Sequence, residues 1–216
     1  MNLIGIETST ENCSVALLHD GKLTTRDKIA PQKHAELVLG YLDELLSEAC
    51  LKKSQIDGIV FGQGPGAFTG VRIAMSIVQG LALALEVPVI AISTMKNMAY
   101  QVWQQNPESN QKLLIANDAR MGEVYWAAFE SVNGQLLRLS EDALNKPEEV
   151  KTQGFDVLAG SALQNMIQND SDAQILPETL PNARSLLELA SHDFSQHAQH
   201  INQIKPSYIR EKVVFN

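Results

Sequence analysis

The chain is short of everything that ties a small fold together covalently. It has two cysteines, Cys13 and Cys50, in 216 residues. They form neither a Cys-x-x-Cys pair nor a Cys/His cluster at zinc spacing, so a disulfide framework and a structural zinc site are excluded. Two reduced, mostly buried thiols are expected instead. Positive charge is also scarce, with 17 Lys+Arg against 25 Asp+Glu and a net charge of −8. A protein that grips nucleic acid unaided carries a basic patch. With no run of Lys/Arg, any nucleic acid is expected to be held mainly by a partner. The opening MNLIGIETST lacks a basic segment followed by an apolar one, which argues against a signal peptide. Apolar stretches are interrupted before the ~18 residues of a membrane span. A cytoplasmic protein with no membrane partner is expected. Low-complexity segments and short-period repeats are missing too.

What is present is ordinary in bulk and patterned in detail. Hydrophobic residues make up 44% and charged residues 19%, enough for a sizeable core in one large or two small domains. Strands are expected at Leu3–Thr8, Cys13–His19 and Lys22–Ile29, with Asp20-Gly21 as a hairpin turn. A helix follows over His34–Cys50, where Leu37, Val38, Tyr41, Leu42, Leu45, Leu46 and Ala49 recur at helical spacing. Next come a strand at Gly58–Phe61, a glycine loop, a helix over Thr69–Leu85, a strand at Val87–Ile92 and a helix opening near Ser93-Thr94. The start then repeats in outline. Leu113–Asp118, Gly122–Glu130 and Gln135–Leu139 read as strands, with Asn133-Gly134 as hairpin turn. A helix is expected after Lys146-Pro147, then a strand at Asp156–Ala159, a helix near Ala183–Ser195 and a tail, Lys205–Phe215. Two βββαβα lobes imply an α/β, two-lobed, actin-like fold, a ribonuclease-H-like duplication with a truncated second lobe. The break is placed in Gln104–Gln111, giving lobes 1–105 and 106–216.

Three places carry candidate chemistry. The first strand of actin-like ATPases ends in an acid and a phosphate-wrapping turn; here the stretch is Glu7-Thr8-Ser9-Thr10. Backbone amides and hydroxyls there can cradle an anion. The turn lacks glycine for close backbone approach, which favours a plain Asx/ST turn and a vestigial phosphate site. Asp118 occupies the matching place in the second lobe. The loop Gly62–Gly70 enters a helix N-terminus, where anions are favoured. It lacks the Gly-Lys-Ser/Thr of a P-loop and the Gly-x-Gly-x-x-Gly of a dinucleotide site, so a sharp turn with close backbone approach is expected. Arg72 is either an anion ligand or half of a structural ion pair. From Val71 to Leu85 only Arg72, Ser76 and Gln79 are polar. A helix apolar around most of its circumference needs cover on several sides. It is either a central core helix or, as favoured here, one whose outer face meets another subunit. The histidines His19, His34, His192, His197 and His200 make no His-x-x-x-His pair after His34. Neither a Gly-x-Ser-x-Gly elbow nor another nucleophile setting is visible.

Several segments together resemble the TsaB (YeaZ) family: Phe61–Thr94 (FGQGPGAFTGVRIAMSIVQGLALALEVPVIAIST), Asn117–Phe129 (NDARMGEVYWAAF), the opening IGIETSTENCSVAL, the helix KHAELVLGYLDELL and the terminal KPSYIRE. The resemblance implies an actin-like, non-catalytic subunit of the bacterial apparatus that places threonylcarbamoyl on N6 of adenosine 37 in tRNAs reading codons that begin with A. It implies a TsaD-like catalytic subunit as partner, a TsaE-like ATPase and a TsaC-like adenylate synthase in the same system, and a homodimer. ATP and metal would be handled by the partners, with no cofactor tightly bound here, and tRNA would be met only through the complex. The implied interface uses the first two helices of the first lobe, so the candidate residues are His34, Leu37, Val38, Tyr41, Leu45, Phe68, Val71, Arg72, Met75, Ile77 and Val78. The competing reading is a small actin-like ATPase or kinase working through Glu7–Thr10. A peptidase is a third reading, with no nucleophile or metal constellation behind it.

Overall fold

The computed structural model describes residues 1–168, 172–191, 194–204 and 209. They form two compact units. The first is Met1–Asn97 together with the described part of Pro181–Pro206; the second is Met98–Leu180. The expected boundary near residue 105 is therefore corrected twice.

In the first unit the strands are β1 (Leu3–Glu7), β2 (Asn12–His19), β3 (Lys22–Ile29), β4 (Gly58–Gly62) and β5 (Val89–Ile92), in spatial order β3-β2-β1-β4-β5. The β1–β2 and β2–β3 pairs are antiparallel, and β1–β4 and β4–β5 are parallel. The parallel pairs need crossovers, and helices α1 (His34–Glu48) and α2 (Phe68–Leu85) supply them. Every residue of β1 is buried because both faces of the sheet are covered. Ile4, Ile6, Ile59 and Phe61 point to α1 and α2, where Val38, Leu42, Leu45, Ala74, Met75 and Val78 meet them. Leu3, Ala16 and Val60 point the other way. Their cover comes from the far end of the chain, helix α4 (Ala183–Ser191), through Ala183, Leu186, Leu187 and Ala190.

That return corrects the assignment of residues 106–216 to a second lobe. Asn12 Nδ2 donates to the Pro181 carbonyl at 3.0 Å, and the Ala183 N–H donates to Ser14 Oγ at 2.7 Å. Both contacts seat α4 on β2. The division between units falls inside α3 (Thr94–Gln104), not in the linker after it. The first turn of α3 is bonded into the first unit, whereas Met98 Sδ accepts from Asn117 Nδ2 and Gln101 Nε2 donates to the Leu180 carbonyl, both within the second.

The second unit repeats the topology. Its strands are β6 (Gln111–Asp118), β7 (Val124–Val132), β8 (Gln135–Arg138), a short β9 (Ala143–Asn145) beside β7, β10 (Val157–Ala159) and β11 (Gln174–Leu176). The order β8-β7-β6-β10-β11 reproduces the first sheet position for position, with β9 off the path. The pairing senses match as well. The truncation is also explicit. The crossover helix expected after Lys146-Pro147 is a single 3-10 turn, Pro147–Glu149, and the one before β11 is a 3-10 turn, Ser161–Leu163. Proline suits a first turn, but β-branched Val150 and Thr152 and then Gly154 at φ +84° stop it there.

A short helix α5 (Phe194–His197) completes the described elements, its Phe194 ring lying where a side chain on Gly58 would be. The helix expected over Ala183–Ser195 is thus α4 and α5; His192 and the tail Lys205–Phe215, Ile209 excepted, lie outside the described residues. Cys13 is buried, and burial, helped by Asp27, pushes its thiol up to about 11. Cys50 is exposed after α1 at φ +51°, against the expectation that both thiols are mostly covered.

Candidate functional site

Two features noted separately along the chain meet in space. The turn Glu7–Thr10 and the loop Gly62–Gly70 pack into one buried unit at the C-terminal end of β1 and β4. Glu7 is fully buried, and Thr8 and Ser9 nearly so. A Cβ on Gly62 would collide with the Glu7 carboxylate, one on Gly66 with the Ser9 carbonyl, and one on Gly70 with the Thr8 carbonyl. The glycines are therefore required for close approach. They lie in the loop rather than in the turn, where their absence had been noted.

Hydrogen bonds close the unit. The Thr8 hydroxyl donates to the Gly70 carbonyl at 2.8 Å, and the Ala67 N–H donates to the Ser9 carbonyl at 2.7 Å. The Ser9 N–H donates to Glu7 Oε1 at 2.8 Å, and Asn97 Nδ2 donates to Glu7 Oε2 at 3.1 Å. Thr94 Oγ1 donates to Ser9 Oγ at 2.9 Å, and the Thr94 N–H to the Gly64 carbonyl at 2.8 Å. Thr10, half-exposed, accepts from the Asn12 N–H at 3.3 Å in an ST turn. Burial raises the Glu7 pKa, while the donors from Ser9, Asn97 and Thr8 pull against it.

The second feature is an exposed apolar groove between α1 and α2. Its α1 wall is Ala35 and Leu39; its α2 wall is Phe68, Thr69, Arg72, Ile73, Ser76 and Ile77. Leu39 is 49% exposed, Phe68 39% and, farther along α2, Leu83 56%. The Arg72 guanidinium stacks on the Phe68 ring, 3.4 Å from its centroid, a cation–π arrangement that holds both side chains at the groove mouth. α2 is one long apolar element, and by length and composition it would pass for a membrane span. Its 18 residues also reach the length that the apolar stretches were expected to fall short of. In the fold its inner face, Gly70, Val71, Ala74, Met75, Val78 and Ala82, lies on the sheet. The small residues Gly80 and Ala84 face outward, whereas Ala74 and Ala82 do not.

The candidate interface residues separate on this geometry. Phe68 and Arg72 are exposed, and Leu37, Tyr41 and Ile77 are half-buried at the rim of the core. His34, Val38, Leu45, Val71, Met75 and Val78 are buried within the chain's own fold and cannot meet a partner, which corrects their assignment to the interface. The heptad-like stripe that identifies the helices marks the sheet-facing side, so residues taken from it are core residues. Exposed Ala35, Leu39 and Leu83 and half-buried Ile73, on the same two helices, are apolar positions lying off that stripe. That signal is present in the sequence. His34 sits at the start of α1, buried, with its Nδ1 without a hydrogen-bond partner. Burial lowers its pKa, against the opposing effects of the Thr10 backbone and of Glu11.

Comparison with known proteins agrees on one family. A family model described as TsaD, tRNA N6-adenosine threonylcarbamoyltransferase, matches residues 25–213. The TsaB protein of Escherichia coli K12, described as a tRNA threonylcarbamoyladenosine biosynthesis protein, is 34% identical, with 100% of this chain and 97% of the relative covered. Its counterpart in Haemophilus influenzae is 35% identical over 100% and 96%. The solved structure of YeaZ from Pseudomonas aeruginosa superposes with a TM-score of 0.84 at 35% identity, covering 96% of this chain and 99% of that one. The fold is accordingly the two-lobed, actin-like α/β fold, with its second lobe reduced. On full-length identity, fold and the glycine-loop motif together, the chain belongs to the TsaB (YeaZ) family of tRNA threonylcarbamoyladenosine biosynthesis proteins.

Proposed function

We propose that this chain is the non-catalytic, partner-binding subunit needed for N6-threonylcarbamoylation of adenosine 37 in tRNAs reading codons that begin with A. It acts by presenting the α1/α2 groove to a TsaD-like catalytic subunit or to a second copy of itself. The observation that carries this reading is the groove: exposed Leu39 and Phe68 and half-buried Ile73 line it on two helices whose inner faces are already satisfied by the sheet. A contiguous apolar surface of this kind marks an interaction site. The turn supports the same reading against a small ATPase or kinase, because Glu7, Thr8 and Ser9 are buried and their polar groups are bonded to the chain's own loop and to Asn97 and Thr94. ATP and metal chemistry then belong to the TsaD-like subunit and a TsaE-like ATPase, the threonylcarbamoyl-adenylate to a TsaC-like synthase, and most of the tRNA contact to the partner. The net charge of −8 suits that division.

Reconstitution tests it. With the TsaD-, TsaE- and TsaC-like proteins, ATP, threonine, bicarbonate and tRNA, modification should require this chain and should fail with Leu39→Glu. Equal modification without the chain would end the proposal.

A further inference from the structure

The groove is built on two helix N-termini, and neither has a side-chain cap. Ala67 precedes α2 and Lys33 precedes α1, and neither makes a side-chain capping bond. A side-chain cap normally helps fix such an end, and on α2 long-range contacts do so instead. On α2, the Thr8 hydroxyl reaches 62 residues along the chain to the Gly70 carbonyl, and the Ser9 carbonyl accepts from the Ala67 N–H. Phe68 and Thr69, two of the groove residues, lie between those two anchor points. On α1, the first residue, His34, is buried. The groove residue Ala35 is the next in the chain. The turn Glu7–Thr10 thus holds the α2 wall of the groove at its N-terminal end, and it is itself locked by Asn97 and Thr94.

We propose that this turn is a positioning element for the docking groove: Thr8 and Ser9 set the placement of the α2 N-terminus, so partner affinity depends on buried residues behind the groove. The inference rests on the docking role proposed for the groove. A groove wall that fluctuates must be ordered when the partner binds, and that ordering is subtracted from affinity.

The test uses the full chain and isothermal titration with the TsaD-like catalytic subunit, beside hydrogen exchange. Thr8→Val keeps the side-chain shape and removes the donor; Thr8→Ser keeps the donor; Leu39→Glu alters the groove directly. The expected result is an affinity about five-fold or more weaker for Thr8→Val, corresponding to one net hydrogen bond, with faster exchange of the Val71–Ala74 amides and unchanged protection in α4. Thr8→Ser should bind as the parent does. If Thr8→Val binds normally while Leu39→Glu does not, the positioning role is overturned and the docking face stands. If Leu39→Glu also binds normally, the docking face itself is wrong and the inference falls with it. Loss of protection in α4 equal to that in α2 would mean general destabilisation, and would overturn the positioning role as well.

Discussion

Leu39 and Met75 are both apolar residues on the two surface helices, and they have opposite uses. Met75 is buried on the sheet, whereas Leu39 is half exposed in the groove. A carboxylate at Met75 would be buried without a partner, so Met75→Asp should lower stability by roughly 4 kcal/mol or more in a denaturant titration. Leu39→Glu should leave the melting temperature almost unchanged and abolish self-association in sedimentation or light scattering; an unchanged association state would remove this face from the dimer. Gly62 offers a second residue-scale check. An added methyl meets the buried Glu7 carboxylate, and Gly62→Ala should cost about 1–3 kcal/mol, readable in the same titration. His34 supplies a pH dependence. Burial lowers its folded-state pKa below 6.5, so the unfolded chain binds the proton first as pH falls. Its contribution is complete at pH above the unfolded value and declines as pH drops below it, until the folded pKa is also passed. The fall in melting temperature from pH 7 to pH 5 should be shallower in His34→Gln, and parallel curves would remove His34 from the account. Both Glu7–Thr10 and the glycines stood out in the sequence as separate motifs. Their contact did not, because it joins residues more than fifty positions apart and no local rule links them.

At the scale of elements, periodicity located the sheet-covering helices well and the short crossovers poorly. The turns Asp20-Gly21 and Asn133-Gly134 adopt the positive φ values their residue types require, 49° and 74°, and 51° and 72°. Both hairpins were therefore legible from two residues each. The α1 and α2 helices were legible because their inward stripes are long. Their outward residues were misjudged, since the same stripe was read as the interface. After Lys146-Pro147 the local signal for a helix start was correct and the continuation was not, because β-branched Val150 and Thr152 and then Gly154 end it after one turn. Amides across Lys146–Val150 should consequently exchange with solvent much faster than those across Leu42–Leu46; comparable protection in a hydrogen-exchange experiment would contradict the 3-10 assignment.

For the whole molecule, charge decides what the chain can do by itself. With a net charge of −8 and a pI near 5.1, it has little with which to neutralise phosphates. Alone it should not retard tRNA in a gel at 150 mM salt, while a mixture with the TsaD-like subunit should; retardation by the isolated chain would relocate the tRNA contact.

The duplication, the βββαβα order, the acidic balance and the family motifs were all set by residue types at local spacings, so the sequence alone determined them. Tertiary structure decided the rest. It sent α4 and Phe194 back to cover β1, β2 and β4, because a sheet with two apolar faces needs a second layer that local pattern cannot assign. It also brought the glycine loop onto the turn and divided the apolar residues of α1 and α2 between core and surface. Hydrophobicity is a property of each residue, and burial is a property of what the fold places beside it.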